Sequence, residues 1–229
     1  MVAGWRRSLL GNFGFIAVLA LSGSAAAEPC DEPSTPDGLE ASLASAEQAF
    51  ATLDVAMFST SAEQANVQLV CLRQPLDQAL AARYHRLEGL VRYRRVDKEG
   101  SHAAAGAAKA LEPGYTFPPD YLPAGHPYRL TLEGIDPSSG TFQAVPPPTS
   151  GGLLFDGTPG DQRPTSRATI LQVQDAEGAI VTTRYLMPDD GLPDYPHAAQ
   201  PDPTGGPPTT PPTEGQVEPP PAVEDPKAP

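Results

Sequence analysis

The residues best suited to recognition in this chain are arginines. Arg83, Arg86, Arg92, Arg94 and Arg95, followed by Lys98, crowd into one stretch with Tyr84, His85 and Tyr93 between them. Arginine and tyrosine contribute most where protein surfaces meet, because a planar guanidinium fork and a rigid ring gain contacts at modest entropic cost. Arg83, Arg86, Arg92, Tyr93, Arg94 and Arg95 therefore form a candidate docking face for an anionic partner. The opposing expectation is a solvated helix face paired with the protein's own acids, of which Glu88, Asp97 and Glu99 are nearest in sequence.

Other chemistry finds little support. Of the four histidines, His85, His102, His126 and His197, none stands at metal-ligand spacing from another histidine, a cysteine or an acid. His126 lies in Gly125-His126-Pro127-Tyr128, a rigid turn that suits fixing a connector better than catalysis. Asp156-Gly157-Thr158-Pro159-Gly160-Asp161 and Asp189-Asp190-Gly191 lack the alternating oxygen ligands of a calcium loop and read as turns. There is no Gly-x-Ser-x-Gly elbow, phosphate loop or His-Glu-x-x-His motif. The expectation is a protein that is not an enzyme, with no catalytic residues, cofactor or metal.

The N-terminus sets the address. A basic Trp5-Arg6-Arg7 precedes an apolar run from Phe13 to Leu21, then small residues ending Ala25-Ala26-Ala27. That order is the architecture of a cleavable signal peptide over residues 1–27. The apolar run is shorter than the ~20 residues that cross a bilayer, so no membrane span is expected after cleavage. Arg6-Arg7 leaves a twin-arginine route open, and Ala27-Glu28-Pro29 before Cys30 does not resemble a lipobox. The expected location is the periplasm, cell surface or exterior.

Net charge is −13, and losing residues 1–27 removes Arg6 and Arg7 but no acid, leaving −15. Such a chain repels nucleic acid and anionic membrane over most of its surface. Two cysteines, Cys30 and Cys71, remain in the exported chain. In an oxidising compartment an even pair is most simply one disulfide, and no histidine stands near either in sequence to argue for a metal site. Closing a loop of about forty residues contributes roughly 3–4 kcal/mol in the chain-entropy account.

The elements that would position the arginines are helical. Thr35-Pro36-Asp37 supplies a cap, a first-turn proline and an early acid. Leu39, Leu43, Ala46, Phe50 and Leu53 then recur at helical spacing, as do Phe58, Ala62, Ala65, Leu69 and Leu72. Pro75 opens a third helix with Leu76, Leu80, Tyr84, Leu87 and Val91 on one face, and a fourth spans His102 to Leu111 before Glu112-Pro113-Gly114 stops it. The first two helices should pair antiparallel, with Cys30 tying the start of one to the end of the other.

From Ala82 to Tyr115, Gly89, Ala108 and Pro113 hold the relative spacing of the tetratricopeptide repeat's glycine, second-helix alanine and terminal proline. This stretch resembles that repeat, although Arg92, Ser101 and Ala105 stand where it prefers tyrosine, alanine and phenylalanine. The resemblance implies a helical hairpin serving as a protein-binding scaffold.

A proline-rich connector is expected over 114–127. Extended segments are expected at Tyr128–Leu132, Thr141–Val145, Leu153–Phe155, Ala168–Val173 and Ile180–Leu186, with a hairpin loop over Gln174–Gly178. Leu153-Leu154-Phe155-Asp156-Gly157, a loop and Arg163-Pro164 resemble the PEGA-type β domain of bacterial envelope proteins, over about residues 128–187. That resemblance implies a cell-envelope setting. From Pro188 to Pro229 the composition is mainly proline, glycine, threonine and acids, which predicts a disordered, partly polyproline II tail.

Together these expectations describe an α+β protein: a signal peptide (1–27), a disulfide-tied tetratricopeptide-like helical domain (28–113), a connector (114–127), a small antiparallel β domain (128–187) and a tail (188–229). Its expected role is an exported, non-enzymatic scaffold engaging another envelope protein. The alternative is a structural envelope component that binds peptidoglycan or an anionic surface polymer through the β domain.

Overall fold

A computed structural model describes Cys30 and residues 32–197. The expected signal peptide and the tail beyond His197 lie outside the described residues. The protein is α+β. Helices α1 (Pro36–Ala51) and α2 (Val55–Val70) form one antiparallel hairpin, and α3 (Gln78–Arg94) and α4 (Lys98–Leu111) form a second.

Each helix begins where local chemistry allows. Thr35 caps α1 through its hydroxyl to the Gly38 N–H, with Pro36 in the first turn. Asp54, Asp77 and Asp97 cap α2, α3 and α4 in the same way, each accepting a backbone N–H. The third helix thus starts at Gln78, after its aspartate cap, rather than at Pro75. The fourth starts at Lys98, a turn ahead of the expected His102. Leu53 lies beyond the end of α1, 83% exposed with φ 57°, so it closes the α1–α2 turn instead of extending the apolar stripe.

The first hairpin zips along Ser45–Ser61 (2.8 Å between hydroxyls) and the edge-to-face Phe50–Phe58 pair. In the second, the Ser101 hydroxyl donates to the Gly89 carbonyl at 2.9 Å. Gly89 also admits the next element, since a Cβ there would lie 2.1 Å from the Tyr128 hydroxyl. That tyrosine belongs to α5 (Pro127–Gly134) and is fully buried. Tyr128–Leu132, expected as a strand, is therefore helical. His126 caps the helix by accepting the Tyr128 N–H through Nδ1, Pro127 opens it, and Tyr128 and Leu132 share its buried face. Alternation over so short a stretch does not separate a strand from one face of a two-turn helix. Phe117 and Leu122, from the expected connector, enter the same core as the four long helices.

The remaining chain makes two antiparallel sheets. β1 (Phe142–Ala144) pairs with β4 (Gln162–Pro164), and a four-stranded sheet runs β3 (Thr158–Pro159), β2 (Gly152–Phe155), β5 (Thr169–Gln174), β6 (Ile180–Leu186). β2 and β3 are joined by Asp156-Gly157, both at positive φ (53° and 81°), the two-residue hairpin turn that favours Asp-Gly. The central sheet is covered on both sides. Ile170 joins the helical core, and Leu153, Phe155, Leu171, Val173 and Leu186 build a second core on the opposite face with Val145.

Leu192 and Tyr195 complete that second core, and the Tyr195 hydroxyl donates to the Pro146 carbonyl at 2.9 Å. The stretch 188–197, assigned from composition to the tail, is thus docked on the sheet. Arg163 secures it, donating to the carbonyls of Met187 and Asp190 at 2.6 Å each. Averaged over a long proline-rich segment, two apolar side chains carry little weight, yet they suffice to fill one edge of a core. Cys30 and Cys71, the only cysteines of the chain, are both disulfide-bonded, the pairing their number predicts. Among the described residues, no helix is long and apolar enough to cross a membrane.

Candidate functional site

Residues of α2 and α3, with Arg95, line a groove of about 530 Å³, within the size range of small-ligand pockets. Phe58, Ala62, Leu87 and Val91 supply apolar lining. Asn66 and Tyr84 sit within it, the tyrosine hydroxyl donating to Asn66 Oδ1 at 3.3 Å. Burial raises the Tyr84 phenol far above its ordinary value, so it stays a neutral donor. Arg92, Arg94 and Arg95 line the groove, and Glu63 and Glu88 temper their charge.

The three arginines differ in how far the fold already engages them. Arg92 is held by Glu88 (2.7 Å) and Asp97 (2.9 Å). Arg94 is exposed and lies over the Phe58 ring, 4.9 Å from its centroid, a cation–π contact that leaves its N–H fork open. Arg95 is exposed and makes no ion pair or hydrogen bond through its side chain among the described residues. The groove thus offers an apolar floor and two guanidiniums with unmet donors.

The other members of the predicted basic face point elsewhere. Arg83 reaches across to α1, pairing with Glu47 through both guanidinium edges (2.9 and 2.6 Å) and with Glu40 (3.1 Å). Arg86 is buried, paired with Glu112, and stacked 3.7 Å over the Tyr115 ring. Tyr93, 36% exposed, packs on His126 and Tyr128. Arg83 and Arg86 are thereby matched by the protein's own acids, while Arg92, Arg94 and Arg95 come together at the groove.

A second polar cluster was not visible in the sequence. His85, on the sheet-facing side of α3, is wholly buried. Its Nε2 meets Asp156 Oδ1 at 2.9 Å and its Nδ1 meets the Tyr185 hydroxyl at 3.1 Å. Asp156 also accepts from the Ile170 N–H (2.7 Å) and the Thr169 hydroxyl (3.0 Å). The order tyrosine, histidine, aspartate matches that of acid–base relays, but a histidine with no exposed surface has no substrate to reach. The arrangement instead fastens α3 to the sheet. Gln172 and Thr183 do likewise for the α2–α3 loop: Gln172 accepts from the Leu76 N–H (2.8 Å) and donates to the Gln74 carbonyl (2.9 Å), and Thr183 donates to the Leu72 carbonyl (2.9 Å). Loop backbone groups shut away from water need such partners.

The turn that aims Asp156 needs its glycine twice over. Gly157 adopts φ 81°, and a Cβ there would sit 2.2 Å from the Leu76 carbonyl oxygen. The Asp-Gly pair was the one local signal in this cluster, since it marks a turn but not what the carboxylate will meet.

The remaining histidines are dispersed. His126 is the α5 cap, and burial lowers its pKa, favouring the neutral ring whose Nδ1 accepts. His102 is exposed on α4, and His197 bridges to Pro148. Among the described residues, no group of three or more histidine, cysteine or acidic side chains is placed to hold a metal ion. Comparison with protein-family models, curated proteins and solved structures gave no match.

Proposed function

We propose that this is an exported, non-enzymatic protein-binding module of the bacterial envelope, and that its docking site is the α2–α3 groove. The observation that carries the reading is the meeting of Arg94 and Arg95, with unmet hydrogen-bond donors, beside an apolar floor formed by Phe58, Ala62, Leu87 and Val91. A partner segment presenting one or two apolar side chains flanked by carboxylates fits that surface. Apolar burial would supply affinity and the guanidinium forks orientation. Export is supported by the leader of residues 1–27, and the disulfide suits an oxidising compartment.

Two measurements test this. Intact mass of the protein recovered from cell fractions should begin at Glu28 and rise by two hydrogens on reduction; a full-length mass with free thiols overturns the export reading. Wild-type protein and an Arg94→Glu/Arg95→Glu variant should then be compared for capture from envelope extract, with purified cell wall in parallel, and any captured protein re-tested in pure form. We expect binding to one purified protein to weaken tenfold or more in the variant, about 1.4 kcal/mol. Equal binding by both forms, or binding to cell wall alone, removes the groove as the docking site.

A further inference from the structure

A separate pocket of about 290 Å³ lies between α4 and the loops that flank β1 and β5. Arg167 lines it, and its guanidinium is in an unusual position. Every other arginine among the described residues that is not exposed donates at least one hydrogen bond from its side chain: Arg73, Arg83, Arg86, Arg92, Arg129, Arg163 and Arg184. Arg167, half-buried, donates none. Its Nε is buried with no acceptor, and its guanidinium carbon lies 5.7 Å from the centre of the Phe142 ring. The buried Nε is withdrawn from water without an acceptor, which is costly unless something supplies one.

The pocket lining adds donors beside one carboxylate, that of Asp136. Ser166 accepts the Thr141 N–H at 3.2 Å, which leaves its own proton available for donation into the pocket. His102 stands at the rim as another donor. Gly106 of α4 and Gly140 of the opposite loop keep two walls low, with Gly106 facing the Arg167 stem. Asp136, also at the rim, has Oδ1 occupied by the Ser138 N–H and hydroxyl (2.9 and 2.7 Å). We infer that this pocket binds a phosphate-sized oxyanion, free or as the head of a small molecule, with Arg167 as its principal ligand and the Ser166 hydroxyl as a second donor. Burial also pulls the Arg167 guanidinium below its ordinary pKa, with the charge of Asp156 acting the other way, and the negative charge of a bound oxyanion would act in the same sense as Asp156.

The test is a titration of the full chain with inorganic phosphate, followed by amide NMR shifts at constant ionic strength. Saturable shifts centred on residues 102–106, 139–141 and 166–167 are expected. Affinity should fall about tenfold or more in Arg167→Gln, and also in Gly106→Leu, which fills the pocket from a helix while leaving the charge in place. Arg73→Gln, at a residue that lines neither cavity, should bind as wild type does. Absence of saturable shifts overturns the site, as does undiminished binding in both pocket variants or equal loss in Arg73→Gln. Unchanged peaks elsewhere in each spectrum report that the variants are folded.

Discussion

Helix α3 carries polar side chains into two opposite settings. On its sheet-facing side, His85 is closed off completely and both ring nitrogens have partners, Asp156 and Tyr185. At its C-terminal end, Arg94 and Arg95 stand in solvent beside a groove, their hydrogen-bond donors largely unmet. In the first setting every donor is matched and no molecule can enter, so the polar groups hold elements together. In the second the fold leaves donors and apolar surface together in reach of solvent, which is what recognition requires. Exposure and unfinished hydrogen bonding, rather than residue type, separate a structural polar cluster from a candidate site.

The largest effect should come from breaking the buried cluster. Asp156→Gly keeps the positive-φ turn that glycine adopts readily, but strands His85 Nε2, the Ile170 N–H and the Thr169 hydroxyl. At about 1–3 kcal/mol per stranded group, with partial relaxation, we expect a loss of about 3–5 kcal/mol in chemical denaturation. A loss under about 1 kcal/mol would erase the distinction between the two settings, since the network would then hold little together.

A smaller effect should come from Asp97, which lies between the two regimes as both the α4 cap and a partner of Arg92. Asp97→Ala should cost about 1 kcal/mol through the lost cap. It should also release Arg92 from one of its two acids, Glu88 remaining, and so tighten binding of an acidic partner. The Gly100 N–H and Arg92 hold the Asp97 carboxyl below its ordinary value of 3.8. Its contribution is therefore complete above that value and disappears as pH falls through the lower folded-state value. Thermal melts between pH 5 and pH 2 (a range of about three units spanning the reference carboxylate value) should show a steeper acid-side loss in wild type than in Asp97→Ala; parallel curves would remove Asp97 from the acid response.

The smallest effect on stability is expected at the groove mouth. Arg95→Gln should change the unfolding free energy by no more than about 0.5 kcal/mol, as surface substitutions do. A loss above about 1 kcal/mol would mean that Arg95 belongs with the structural polar groups, and the contrast along α3 would fail.

Much of the architecture follows from residues that act on their near neighbours. The Thr35 cap, the Pro36 first turn, the Asp156-Gly157 hairpin and strands β2, β5 and β6 all rest on chemistry within a few positions, and the sequence alone determined them. The even pair of cysteines likewise predicted its own oxidation state. The clustering of arginines was also legible, but not its division. Whether Arg86 meets Glu112 or Arg94 meets open solvent depends on which helix lies opposite.

Tertiary structure alone decided the rest. Tyr128 could become part of a helix because Gly89 leaves room for its ring, and Leu192 and Tyr195 dock because the outer face of the sheet had an edge to fill. His85 joins residues 71 and 100 positions away in the chain, and Arg167 is distinctive only because no acceptor came near it. Local rules act through backbone geometry and adjacent side chains, so they can be read in order along a sequence. Partnerships over such separations are set by which surfaces exclude water together, and no periodicity along the chain records that.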